Sequence, residues 1–173
     1  QLEQDLLQTH LKCCISPNIK IPGEVILALS RLSEKRHGLI IAIEQEDNLD
    51  DHLQGGVNID ASVTAPILEN IFYPGSPLHD GAMIIRDSKI RKVNVLLPMA
   101  PHTPGLEALG LGSRHRAALG LSQVSDALII VVSEEKGWIS MALQGQLSPN
   151  RGTIALLEKL GDSMEDGARN NTA

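Results

Sequence analysis

The sequence predicts a single domain of the mixed α/β (α+β) class, because stretches with helical periodicity alternate with short, strongly apolar runs. The chain has 173 residues, of which 42% are hydrophobic, and this is enough for one core of ordinary size. Two apolar runs, Leu39 to Ile43 and Ala127 to Val132, are rich in β-branched residues and far too short to cross a bilayer. We therefore expect them to be buried strands.

Composition excludes some classes of function. The net charge is −6 and aromatic residues make up only 2% of the chain, which argues against a nucleic-acid surface with a basic groove and stacking rings. Cys13 and Cys14 are adjacent, so a disulfide between them would be strained, and two cysteines give no metal-knuckle spacing. We expect a reduced chain in the cytoplasm.

Helices are predicted where apolar residues recur at helical spacing. Gly38 is expected to cap the second helix, Asp60-Ala61-Ser62 to cap the third, and Ser113 to be the N-cap of the fourth. A further helical turn is expected near Leu49 to Leu53, within a polar excursion from Glu44 to Gly56. The helices are predicted over Leu2 to Leu11, from about Pro22 to His37, around Ile67 to Ile71, from Ser113 to Leu121 and from Thr153 to Leu160.

The remaining strands are predicted as two hairpins. Asp87-Ser88 separates Ala82–Arg86 from Lys89–Leu97, a spacing typical of a two-residue turn. The second hairpin joins Ala127–Val132 to Trp138–Leu143. Between the hairpins, the segment from 98 to 112 is rich in proline and glycine and is long enough to line a pocket.

Two polar clusters carry the chemistry. In Ser76-Pro77-Leu78-His79-Asp80-Gly81-Ala82 an imidazole and a carboxylate stand beside a glycine. In Gly112-Ser113-Arg114-His115-Arg116-Ala117-Ala118 a hydroxyl, a guanidinium and an imidazole stand at a predicted helix N-terminus, whose free amide groups and dipole favour anions. Either cluster alone is more typical of an ordinary turn or a solvated basic face. Their joint placement beside predicted strands indicates a metal and phosphate site.

Three motifs together resemble a known family. His79-Asp80-Gly81-Ala82, Gly112-Ser113-Arg114-His115-Arg116 and Ser133-Glu134-Glu135 follow the order and approximate spacing of the diadenylate cyclase catalytic domain. The resemblance extends from about Gly38 to Leu147. It implies a catalytic domain over 38–160 built on a twisted mixed β-sheet surrounded by helices. Helical periodicity predicts the helices that precede it over 1–37, and the small, polar residues over 161–173, which lack apolar periodicity, predict a disordered tail. The N-terminal helices are similar to those of the membrane-anchored class, which leaves open a parent chain anchored at the cell membrane.

The activity implied by this resemblance needs two subunits. Each would bind one ATP, and the 3′-hydroxyl of each ATP would attack the α-phosphorus of the other, giving cyclic di-AMP and two pyrophosphates. The partner is therefore a second copy of the chain in a homodimer, which can be transient. The implied cofactor is a divalent ion, with Mn²⁺ and Mg²⁺ as the main candidates and Co²⁺ as a further one.

The resemblance also assigns residues. Asp80, Arg114 and His115 are the expected catalytic residues, and His79, Asp80 and Glu135 the expected metal ligands, although either Glu134 or Glu135 could face the ion. The expected ATP-binding residues are Gly81, Ala82, Leu97, Gly112, Ser113, Arg114, His115, Ser133 and Glu134.

The chain departs from the family pattern at two positions. Ser113 stands where threonine is usual, a change that keeps the hydroxyl. Leu96 stands where the anchored class often has an aromatic residue that stacks on adenine, so adenine is expected to pack on aliphatic groups.

Two other functions remain open from the sequence. The chain could be a non-catalytic sensor that binds ATP or a cyclic dinucleotide, or a metal-dependent phosphohydrolase in which the same groups orient water. The presence of Asp80 and Arg114-His115 favours the cyclase.

Overall fold

The structure is a computed structural model that describes residue 19 and residues 21–101 and 111–150, with the side chains of 149 and 150 left out. The predicted first and last helices, the Cys13-Cys14 pair, residues 102–110 of the long loop and the predicted tail lie outside the described residues. Within the described ranges the elements are α1 (Gly23–Glu34), β1 (Leu39–Ile43), a 3₁₀ helix (Asp50–His52), β2 (Gln54–Ser62), α2 (Ala65–Ile71), β3 (Ala82–Arg86), β4 (Lys89–Leu96), α3 (Ser113–Val124), β5 (Leu128–Val132), β6 (Ile139–Leu143) and β7 (Gln146–Asn150).

The strands form one mixed sheet, which confirms the predicted fold class. Its order is β2-β4-β3-β1-β5-β6-β7. The central strands β1 and β3 are parallel, with Ile41 opposite Met83, and the other neighbours are antiparallel. The segment between β1 and β3, which contains the 3₁₀ helix, β2 and α2, provides the crossover that a parallel pair requires.

The sheet is covered on both faces by helices. Alternate residues of β1 point to opposite sides, so Leu39 and Ile41 enter the core under α1 and α2, whereas Ile40 enters the core under α3. All five residues of β1 and all five of β5 are buried. This explains why both strands are continuous apolar runs in the sequence.

The predicted first hairpin is confirmed. β3 and β4 pair antiparallel around Asp87 and Ser88, which both have positive φ, at 52° and 58°. Such a turn matches the twist of the two strands. The predicted helical turn near Leu49 to Leu53 is confirmed as the 3₁₀ helix.

Three predictions about element ends are wrong. α1 ends at Glu34, and Arg36 rather than Gly38 has positive φ, so Gly38 is free to begin the approach to β1. α2 begins after Thr64, because Asp60-Ala61-Ser62 belongs to β2. The N-cap of α3 is Gly112, and Ser113 is the first helical residue, with no capping hydrogen bond from a side chain.

Candidate functional site

The ends of four strands lie together along one margin of the sheet, perpendicular to the strands. We call this margin, where β1 and β3 begin and β4 and β5 end, the motif edge. Leu39 at the start of β1 pairs with Val132 at the end of β5, and Ala82 at the start of β3 pairs with Val95 near the end of β4. All three sequence motifs reach this edge. The first and third lie at strand ends, and the second lies at the start of α3, whose Arg114 is next to Gly38 just before β1. The predicted site residues at the strand ends are His79 to Ala82 at β3, Leu97 after β4 and Ser133 to Glu135 after β5.

The width of the motif edge follows from the strand order. β1 lies between β3 and β5, so the start of β3 and the end of β5 are two strand spacings apart. That separation is about 10 Å. The edge is therefore wide enough for one extended phosphate-bearing ligand to contact both Asp80 and the β5–β6 turn.

His79 and Asp80 are paired at this edge. Nε2 of His79 lies 3.4 Å from Oδ1 of Asp80, whose side chain is 81% exposed. Nδ1 of His79 lies 2.6 Å from the carbonyl oxygen of Ser76. Because a carbonyl oxygen only accepts, Nδ1 carries a hydrogen and donates it, so Nε2 is the ring nitrogen that lies beside the carboxylate.

Gly81 brings the backbone of the first motif against β4. Its φ is +89°, and a Cβ at this position would lie 2.8 Å from the carbonyl carbon of Asn94 and 2.9 Å from the nitrogen of Val95. No side chain fits there. The glycine therefore fixes the position of Asp80, which directly precedes it at the entrance to β3.

Arg114 connects the second motif to the third. Its Nη1 donates to Oε2 of Glu134 at 2.9 Å, and the two side chains are 20% and 62% exposed. A Cβ on Gly38 would lie 3.0 Å from the guanidinium carbon of Arg114, so the guanidinium lies directly across the start of β1. An exposed pair of this kind is weak, and a phosphate can therefore compete with Glu134 for the arginine.

His115 points away from the exposed edge. The residue is only 4% exposed, and Nε2 of its ring lies 3.2 Å from Oγ of Ser140 on β6. Burial, and then the positive charge of Arg114, lower the pKa of His115. The ring is consequently neutral near pH 7 and anchors the first turn of α3 to the sheet.

The end of β4 presents apolar groups to the same edge. Leu97 is buried, whereas Leu96 is 64% exposed and Met99 is 48% exposed. Leu96, the position that departs from the family pattern, therefore offers an aliphatic surface where a ligand's apolar part can pack.

Only two of the three expected metal ligands are paired in the part of the chain that the structure describes. There, no three His, Cys, Asp or Glu side chains form a group that could hold a metal ion. His79 and Asp80 nevertheless suit a divalent ion, since an imidazole whose Nδ1 donates to a carbonyl is a typical metal ligand. Sites that bind nucleotide phosphates commonly use one or two carboxylates plus phosphate oxygens. The residues present therefore fit a metal that is completed by its substrate.

A shallow depression lies at the opposite edge of the sheet. It contains none of the residues of the three motifs, and it is lined by Pro22, Ile43, Glu44, Gln45, Ile85, Asp87 and Ser88.

The sequence alone did not reveal Gly38 as a contact of Arg114. A glycine after a helix is typical of a C-cap, and that more common role is what the local pattern favours. Its position against the guanidinium depends on α3 crossing β1 and has no signal in the sequence.

Comparison with known proteins now identifies the family. The model for DAC, described as DisA bacterial checkpoint controller nucleotide-binding, matches residues 26–147. The chain belongs to the DAC family. The matched range contains all three motifs and the whole motif edge of this DAC domain.

Several curated relatives are similar over most of the DAC domain. Diadenylate cyclase CdaS of Bacillus thuringiensis is 43% identical over 138 residues, which are 80% of this chain and 68% of that protein. Cyclic di-AMP synthase CdaA of Bacillus subtilis is 36% identical over 146 residues, which are 84% of this chain and 53% of that protein. The chain thus spans between half and about two thirds of the length of these relatives.

Solved structures share the fold. A double mutant of DacA from Staphylococcus aureus superposes with a TM-score of 0.73 at 34% identity, covering 93% of this chain and 96% of that one. A hypothetical membrane spanning protein from Bacillus cereus gives a TM-score of 0.69 at 45% identity, covering 73% and 61%. In the DAC domain itself, none of the helices in the described ranges is long and apolar enough to span a membrane.

Proposed function

We propose that the DAC domain is a diadenylate cyclase that condenses two ATP molecules into cyclic di-AMP. Two 3′-oxygen to α-phosphorus bonds form, two bonds between α-phosphorus and the bridging oxygen break, and two pyrophosphates and two protons leave. The observation that carries the proposal is the convergence of His79-Asp80 and Arg114 at one sheet edge in a chain of this family. Relatives named diadenylate cyclase and cyclic di-AMP synthase support it.

The phosphates are proposed to bind at the start of α3. The amide groups of its first turn and the guanidinium of Arg114 supply positive potential, and Ser113 and Ser133 supply hydroxyls. Arg114 exchanges its exposed partner Glu134 for a phosphate oxygen. Gly81, Ala82, Leu97 and Gly112 are proposed to line the remainder of the ATP site.

Asp80 is proposed to activate the attacking hydroxyl. Its carboxylate is exposed at the motif edge and can accept the hydroxyl proton directly. Alternatively, it would hold a metal ion that makes the hydroxyl more acidic. His79 and Asp80, with Glu135 as the third candidate, would hold a divalent ion, Mn²⁺, Mg²⁺ or Co²⁺. When bound, that ion neutralises phosphate charge during the displacement. His115 contributes by holding Arg114 in place, since its own ring is turned toward Ser140.

Catalysis is proposed to occur across a homodimer. One motif edge offers one Arg114 and one Asp80, whereas condensation needs two ATP molecules in opposed, in-line positions. A second copy facing the first supplies the other ATP.

The proposed location is the cytoplasm, with the parent chain anchored at the membrane. The similarity to the hypothetical membrane spanning protein of Bacillus cereus supports the membrane anchoring.

Product analysis tests the proposal. The chain is incubated with ATP and Mn²⁺, Mg²⁺ or Co²⁺, and nucleotides and pyrophosphate are quantified after chromatographic separation. We expect cyclic di-AMP with two pyrophosphates for each molecule formed. AMP or ADP as the only product would instead indicate a phosphohydrolase, and saturable ATP binding without turnover would indicate a sensor; either result would contradict the proposal.

A further inference from the structure

Arg116, the last residue of the second motif, does not face the exposed edge. Its Nε and Nη2 donate to the carbonyl oxygen of Ala100 at 3.3 Å and 3.1 Å. The backbone nitrogen of Ala100 donates in return to the carbonyl oxygen of Arg116 at 3.0 Å. Three hydrogen bonds therefore tie the first turn of α3 to the segment that leaves β4.

The same contact requires Gly120, one helical turn further along α3. A Cβ on Gly120 would lie 2.0 Å from the carbonyl oxygen of Pro98 and 2.7 Å from the nitrogen of Ala100. The helix and the segment Pro98–Ala100 thus touch backbone to backbone. Any side chain at this position would force them apart.

The segment held in this way carries the apolar part of the motif edge. Leu96 and Met99 are exposed on either side of Leu97 and Pro98, whereas Ala100, the residue that Arg116 binds, is 2% exposed. α3 carries Arg114 at its start and binds this segment at Arg116. One helix therefore sets the distance between a cationic group suited to phosphates and an apolar surface suited to a flat base.

We propose that Arg116 is a positioning residue for the base-binding half of the nucleotide site. It holds Pro98–Ala100 against α3 so that the base and the phosphates of one nucleotide are bound at a fixed separation. Its guanidinium is committed to the carbonyl of Ala100 and does not contact the nucleotide. This inference rests on the proposed function, because it assumes that ATP is the ligand of the motif edge.

The test compares a ligand that has a base with one that lacks it. Isothermal titration calorimetry with Mn²⁺ measures the dissociation constants of 3′-deoxy-ATP, which cannot turn over because it lacks the attacking hydroxyl, and of inorganic tripolyphosphate. We expect Arg116→Met to weaken 3′-deoxy-ATP binding about tenfold and to change tripolyphosphate binding by less than about twofold. Arg114→Met should weaken the binding of both ligands.

Two further variants keep the test decisive. Arg116→Lys keeps the charge but cannot donate two N–H groups to one carbonyl in the same fork, so it should give an intermediate loss for 3′-deoxy-ATP alone. Arg91→Met is the matched control, because Arg91 lies near the start of β4, away from the motif edge, and pairs with Asp60 on β2. It should bind both ligands like the wild type.

The inference is overturned if Arg116→Met and Arg116→Lys leave 3′-deoxy-ATP binding unchanged, or weaken both ligands to the same extent. Failure of the proposed function is visible separately, as the absence of cyclic di-AMP when the wild-type chain is given ATP. If the wild-type chain forms cyclic di-AMP but the Arg116 variants give either of these binding results, the inference alone has failed.

Discussion

At the residue scale, Asp80 combines an exposed carboxylate with a position at the meeting point of four strands. Replacing it with asparagine removes a proton acceptor without touching the core. We expect Asp80→Asn to reduce cyclic di-AMP formation at least about 100-fold, because general-base assistance contributes about that much. The free energy of unfolding, measured in urea, should change by less than about 0.5 kcal/mol.

Asp87→Asn is the matched control for this variant. Asp87 lies at the other end of β3, in a turn with φ of 52°, where asparagine is well tolerated. The substitution makes the same change in charge and should leave activity unchanged. Full activity in Asp80→Asn would show that the assignment of Asp80 is wrong.

His115 predicts a specific dependence of stability on pH. Burial and the charge of Arg114 lower the pKa of the folded ring below 6.5. As the pH falls below about 6.5, the unfolded chain takes up a proton that the folded chain resists, so the free energy of unfolding decreases until the folded pKa is passed. Above about pH 6.5 both states are neutral at this ring, and the contribution is constant.

The measurement is urea unfolding at several pH values between about 7 and 5. His115→Gln, which cannot be protonated, should show a shallower loss of stability over this range than the wild type. Identical slopes for His115→Gln and the wild type would mean that His115 titrates normally in the folded chain.

Individual residues were predictable to different degrees. Residue type and local placement indicated that Asp80 and Arg114 belong to a metal and phosphate site, and the family resemblance implied their roles; the structure brings both residues to one edge. The orientation of His115 was not predictable, since a helix position does not reveal which face meets the sheet. The contact of Arg116 with Ala100 depends on a loop that no periodicity describes.

At the element scale, the tight contact of β3 with β4 depends on Gly81. A side chain here would have to adopt φ of +89° and would also collide with the backbone of Asn94 and Val95. We expect Gly81→Ala to lower the free energy of unfolding by about 3 kcal/mol. Activity should fall as well, because the displaced backbone carries Asp80.

Gly55→Ala separates the two causes. Gly55 has φ of +67° but no atom within 4 Å of the position of an added Cβ, so only the backbone cost applies. That cost is about 1 kcal/mol. Equal losses of unfolding free energy in urea for the two variants would show that the collision at Gly81 does not matter.

The strands were predictable where burial leaves a pattern. β1 and β5 are buried on both faces and read as continuous apolar runs. β2 was missed because it is an exposed edge strand with Gly55, Gly56 and an irregular register between Asn58 and Ala61. Its hydrogen bonds to β4 leave almost no mark on hydrophobicity. β7, whose one neighbour among the described strands is β6, was missed as well.

At the scale of the whole molecule, the site is a product of topology. The parallel pairing of β1 with β3 places the two strand starts beside the ends of β4 and β5. Motifs that lie as far apart in the chain as residues 79 and 135 thereby reach one edge. Local patterns predicted the elements and suggested that the first two motifs share a site, but strand order is set by long-range pairing, and the family resemblance was needed to add the third motif.

The central claim is that two copies of this edge, each with one ATP, perform the condensation together. The most direct test is the initial rate of cyclic di-AMP formation at saturating ATP and Mn²⁺, measured over a wide range of chain concentrations. We predict that the rate per chain rises in proportion to concentration while copies are mostly apart, and reaches a plateau once they are paired. A rate per chain that stays constant at all concentrations, in a chain shown to be monomeric by sedimentation under the same conditions, would contradict the account.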